Sequence, residues 1–154
     1  MSCREMLYSM FGVSTNDISL GNAQVTNRLA RQEILPDAAG FSEDLGNVSS
    51  PSDMTRLLEI IYTGVMHSSK SRDEVMNILG HQQKNTIIPA DLPLGTIVAH
   101  KTGGVPSVRC DVGIVFSPSG PYIISLMSKQ VTNMKAIDRR LAAVSRAIYD
   151  HFNP

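Results

Sequence analysis

The sequence predicts an α+β fold, and three observations predict it. Residues 50–80 carry helix caps and helical apolar spacing. Residues 96–128 turn to strand composition with short polar breaks. The chain then closes on a long amphipathic stripe.

Taken in order, Arg4 to Phe11 reads as a short helix with Met6, Leu7, Met10 and Phe11 on one side and Gly12 ending it. Ser14-Thr15-Asn16-Asp17 follows as a turn or cap, residues 21–33 are weakly helical, and Pro36 to Asn47 has the composition of a loop. The next helix is better marked. Ser50 is a good N-cap, Pro51 takes the first helical position, and Asp53 stands where a capping acid belongs. Met54, Leu57, Leu58, Ile61 and Val65 follow at helical spacing. Ser71 to Glu74 has the S-x-x-E pattern of a capping box and predicts a helix carrying Val75, Ile78 and Leu79, stopped by Gly80.

The period then changes. Thr96 to Thr102 is β-rich and is expected to end at Gly103-Gly104. Val108 to Phe116 alternates, with Cys110, Val112, Ile114 and Phe116 predicted on one face. Ser117 to Pro121 is a turn, and Tyr122 to Ser128 is a third strand. Short links between sequence neighbours predict an antiparallel meander. From Asn133 to Phe152, Met134, Ile137, Leu141, Val144, Ile148 and Phe152 step by three and four, a stripe suited to lying across a sheet.

The 154 residues fit one domain, residues 1–154, large enough to bury a real core. Fourteen basic and fourteen acidic residues cancel, so no charge surplus argues for nucleic acid or an anionic membrane. Eight aromatics without Trp disfavour a base-stacking platform. No apolar run approaches the ~20 residues of a membrane span. The N-terminus does not lead into a signal-peptide core, because Ser9 and Gly12 interrupt its apolar residues. Cys3 and Cys110 form neither a metal spacing nor a disulfide framework, and the four histidines show no ligand spacing, so no metal or cofactor is expected.

His100-Lys101-Thr102-Gly103-Gly104 is the stretch that carries chemistry. It sets a cation and a hydroxyl beside two glycines, which let a ligand approach the backbone closely. The Gly104 amide is placed to donate to an oxyanion, with positive potential from Lys101. The plainer alternative is a lysine at a strand end before a glycine turn.

With its neighbour Arg109-Cys110-Asp111-Val112-Gly113, this stretch resembles the K-T-G strand of class A serine β-lactamases and related penicillin-binding-type hydrolases. Ser49 to Leu58 is similar to the Ser/Thr-Pro-x-Asp-Met helix start of that family, and Leu92-Pro93-Leu94-Gly95 and the long last helix also fit. The resemblance spans about residues 5–152. It implies a β-lactamase/transpeptidase-like fold, an antiparallel sheet covered by helices, of which this chain is the C-terminal portion. Ser14-Thr15-Asn16 matches the family's S-D-N, with Thr replacing Asp. By resemblance, Ser14 relays a proton, Asn16 and Gly103 border the substrate, and Lys101 biases the field. Thr102 grips a substrate carboxylate with support from Arg109, and the Gly104 amide helps form the oxyanion hole.

Two departures qualify that reading. No S-x-x-K occurs anywhere, so the acylated serine and its lysine are expected to belong to polypeptide not included in this sequence. Glu43 to Asn47 only loosely resembles the family's deacylating E-x-x-L-N loop. The expected function is therefore that of a β-lactamase-like serine hydrolase acting on a β-lactam, a D-Ala-D-Ala peptide or an ester, inactive as this chain alone. The alternative is a non-catalytic carboxylate- or peptide-binding remnant, or an assembly module pairing with a second copy or with the missing N-terminal segment. The family is usually extracytoplasmic, but the sequence itself gives no export signal.

Overall fold

A computed structural model of the chain describes residues 50–63, 69–105 and 107–154. The expected helix at 4–11, Ser14, Asn16, Glu43 and Val65 lie outside these described residues.

Helix α1 runs Pro51–Thr63 and helix α2 Ser69–Gly80. The start of α1 is as predicted: the Asp53 amide donates to Ser50 Oγ at 3.1 Å, and Asp53 Oδ2 accepts from the Ser50 amide at 2.9 Å. The start of α2 is not. The helix already exists at Ser69, so Ser71 lies inside its first turn and the Ser71-Glu74 spacing marks no boundary. Gly80 ends α2 as expected.

Three strands follow: β1 Ile97–Val105, β2 Val108–Ser117 and β3 Gly120–Ser128. They form the antiparallel meander β1-β2-β3, with β2 central. Strand β1 does not stop at the glycines. It runs through Gly103 and Gly104 to Val105, because each glycine still pairs across the ladder, with Cys110 and Arg109 respectively. The β1–β2 turn closes on Ser107 at φ 69°, and the β2–β3 turn on Gly120 at φ 114°, where a residue without Cβ is favoured.

The sheet is covered on both faces. Met54, Leu58, Ile61, Val75, Ile78 and Leu79 of α1 and α2 pack on Ala99 and Val112. On the other face, Ile87, Ile88, Val98, Val115, Ile124, Leu126 and Tyr149 form a second core with helix α3, Met134–Phe152. This sandwiching corrects the one-faced alternation expected of β2, in which Asp111 through Val115 are all buried. The stripe of α3 is also rotated from the predicted one. Ala142, Ser145 and Tyr149 face inward, flanked by Leu141 and Ile148, while Val144 and Phe152 are exposed. The small Ala142 and Ser145 let the helix come close, and Ser145 Oγ donates to Ile88 O at 2.8 Å.

Candidate functional site

Lys101 stands at the fifth of the nine positions of β1, in the interior of the strand rather than at its end. Its side chain is 5% exposed, and its ammonium donates to the Thr102 carbonyl. The register pairs Lys101 with Val112, so the lysine shares the face that α1 and α2 cover. Alternation sends Thr102 to the opposite face, across from Asp111. Thr102 is buried too, and its Oγ1 has no hydrogen-bond partner among the described residues. A buried hydroxyl left unsatisfied is costly, and a polar ligand at this strand would relieve that cost.

The two glycines that follow are exposed. Gly103 shares the face of Lys101, and a Cβ there would lie 3.6 Å from Cys110 Cβ, an ordinary contact. Gly104 lies beneath the Arg109 guanidinium, which occupies the space a Cβ would take. Among the described residues β1 is an edge strand, so a ligand approaching from outside the sheet meets the side of its backbone away from β2, with Lys101 to one face and Thr102 to the other. The sheet thus brings Thr102, Gly104 and Arg109 to one face and Lys101 and Gly103 to the other, around one edge.

Arg109 has a partner already. Its Nε lies 3.2 Å from Asp138 Oδ1 on α3, an ion pair in which both side chains are mostly buried. That approach lacks hydrogen-bond alignment, since Asp138 Oδ1 is otherwise without a partner. The guanidinium is held toward α3 and over Gly104, not toward Lys101.

In the sequence His100 shows no ligand spacing and is given no role of its own. The structure makes it the centre of a buried network. Its Nδ1 donates to Asp111 Oδ1 at 2.8 Å, and its Nε2 lies 3.1 Å from Asn85 Oδ1. Asp111 Oδ2 accepts from the Ile88 amide at 2.9 Å. His100 and Asp111 are 1% and 0% exposed. The available signal was an aspartate in the middle of an apolar strand, which must find a donor if that strand is buried.

A separate shallow groove of about 350 Å³ lies between α1 and β3, lined by Thr55, Glu59, Tyr62, Ile114, Pro121, Tyr122 and Ile123. It includes none of the K-T-G residues. Among the described residues no group of three or more His, Cys, Asp or Glu could hold a metal, and no helix is long and apolar enough to cross a membrane.

Comparison with known proteins bears on the family and the fold. No match was found among curated protein sequences. Among solved structures, PBP-A is 34% identical, with a TM-score of 0.67, covering 71% of this chain and 42% of its own. A β-lactamase from Chitinophaga pinensis is 24% identical over 96% of this chain and 53% of its own, with a TM-score of 0.68. A class A β-lactamase representative from Bacteroides cellulosilyticus is 21% identical over 97% and 52%, with a TM-score of 0.67. The last two likenesses bear on fold alone, and the chain spans about half the length of these relatives or less. The model of the β-lactamase enzyme family matches residues 4–152, so nearly the whole of this sequence, its K-T-G strand included, belongs to that family.

Proposed function

We propose that this chain furnishes the cation-and-glycine strand of a serine acyl-transfer site for a β-lactam, a D-Ala-D-Ala peptide or an ester, and that alone it forms no acyl adduct. The observation that carries this reading is Lys101, sequestered in the middle of what is, among the described residues, an edge strand that continues into two exposed glycines. A lysine is rarely buried without a task. Here its ammonium lies next to backbone that a ligand can reach, where it lowers the energy of a carboxylate or a developing oxyanion. PBP-A, which shares 34% identity with this chain over the matched part, has been solved as an acyl-enzyme complex with penicillin G.

In this reading Gly104 offers its amide to the oxyanion, Gly103 keeps the approach open, and Thr102 bonds the ligand carboxylate. Ser14 and Asn16 act as proton relay and amide contact. Arg109 adds positive potential from its place over Gly104 while bound to Asp138. Acylation itself requires a serine hydroxyl and a base to take its proton, and the 154-residue sequence has no S-x-x-K to supply them.

The test is to incubate the full chain with a fluorescent penicillin and measure its intact mass. The mass is expected to stay unchanged, and a stoichiometric adduct would overturn the claim that no nucleophile is present. Saturation-transfer NMR with benzylpenicillin tests the rest. Signal is expected with the wild-type chain and is lost in Lys101→Met, and equal signals from both would remove Lys101 from the site.

A further inference from the structure

We propose that His100 and Asp111 are positioning residues that hold the segment of β1 bearing Lys101; the ligand-binding part of this inference rests on the function proposed above. The register shows how. His100 is across from Gly113, Lys101 from Val112 and Thr102 from Asp111. The His100–Asp111 hydrogen bond therefore runs diagonally over the sheet and passes the Lys101–Val112 rung on the face opposite the lysine. It is a cross-brace between an edge strand and the central one, placed at the rung where the cation leaves the backbone.

The brace is anchored at both ends. His100 Nε2 meets Asn85, and Asp111 Oδ2 takes the Ile88 amide. Gly113 lets the two strands meet closely at His100, since a Cβ there would lie 2.5 Å from His100 Cβ. Neither residue approaches the exposed glycines, so the pair acts on the site through the backbone of β1 and not by touching a ligand. An edge strand has partners on one side only and is prone to fraying. A hydrogen bond between two fully buried side chains in the dry interior is strong enough to oppose that at one chosen rung.

Ser145 supplies the control. It is equally buried and bonds the same Ile88 residue, at its carbonyl, but touches neither β1 nor β2 through that bond. In the full chain, Asp111→Asn and His100→Ala are expected to speed amide hydrogen exchange of residues 99–103 about tenfold and to weaken benzylpenicillin binding by a similar factor. His100→Gln, which keeps a donor, recovers most of the binding lost in His100→Ala. Ser145→Ala speeds exchange around Ile88 and in α3 but leaves exchange of residues 99–103 and affinity within about twofold of wild type. The proposal is overturned if exchange at 99–103 is unchanged in both Asp111→Asn and His100→Ala, or if Ser145→Ala raises it equally. Should Lys101→Met bind benzylpenicillin as well as wild type, the function proposed above fails while the exchange measurement still decides the brace. Should Asp111→Asn not fold, the two His100 variants decide it.

Discussion

Gly113 lies across the β1–β2 ladder from His100, and the strands meet so closely there that position 113 has no room for a side chain. A Cβ would fall 2.5 Å from His100 Cβ, 2.8 Å from the Ala99 carbonyl and 2.9 Å from His100 Cα. Two of those atoms are backbone and cannot swing aside. Gly113→Ala is therefore expected to cost about 1–3 kcal/mol or more, read as a lower urea midpoint at unchanged slope. Gly103→Ala makes the contrast. Its Cβ would meet only Cys110 Cβ at 3.6 Å, so its midpoint should stay within about 0.5 kcal/mol of wild type.

The same rung shows what a sequence can and cannot disclose. The meander, the start of α1 and the extent of α3 were legible because caps, turn residues and periodicity act locally. Asn133 is the N-cap of α3, and its side chain accepts from the Ala136 amide at 3.0 Å. Passage of β1 through Gly103 and Gly104 was not legible, because the strand is held there by β2, a partner that local composition does not see. The inward face of α3 was misread for a similar reason. Period alone favours Val144 and Phe152, but close approach to the sheet selects Ala142 and Ser145. Of the site, the residue types at 101–104 were legible, but the faces of Gly103 and Gly104 were not, because the strand was expected to end there. The His100–Asp111 bond and the Arg109–Asp138 pair join distant segments and needed coordinates.

Asp53 makes the first turn of α1 sensitive to acid. Its carboxylate accepts from the Ser50 hydroxyl at 2.7 Å and from the Ser50 amide at 2.9 Å, and these bonds hold its carboxyl below the ordinary value of 3.8. The sign follows. A carboxyl whose folded value is depressed adds stability above its unfolded value, and that stability is lost as pH falls through the folded value. The contribution should thus be complete at neutral pH and fade below about pH 4. Asp53→Asn is expected to flatten the acid side of a stability-versus-pH curve while leaving its neutral side parallel to wild type, measured by thermal melts from pH 2.5 to 7.

Helix α1 is tied to the sheet by a hydroxyl pair whose polarity the geometry fixes. Thr55 Oγ1 spends its one proton on the Pro51 carbonyl at 2.9 Å, so in its 3.0 Å contact with Ser125 it accepts, and Ser125 donates. Thr55→Val removes that acceptor and leaves a half-buried hydroxyl without a partner, at a cost of about 1 kcal/mol. Ser125→Ala in the Thr55→Val background should cost little more, because the donor that had lost its partner is then gone. A double-mutant cycle in urea with a coupling near zero would show that the pair does not hold α1 to β3.

Cys110 is the partly buried thiol on β2, across from Gly103 on one side and Met127 on the other. Burial pushes its thiol above the ordinary value of 9.0, a hydrogen bond with the Ser128 backbone opposes this in part, and Asp111 next to it adds to the rise. The thiolate is the reactive form, so at pH 8 native Cys110 should be alkylated by iodoacetamide about tenfold or more slowly than the same cysteine in unfolded chain. Peptide-resolved mass spectrometry separates it from Cys3. The His100 brace adds a second expectation. If Asp111→Asn loosens β1 beside the Gly103–Cys110 rung, alkylation of native Cys110 should rise in that variant on two counts, greater access and removal of the neighbouring charge. Ser145→Ala shares neither change, so its Cys110 should react at the wild-type rate; a rise there instead would mean that general loosening of the core, not the rung, controls the thiol.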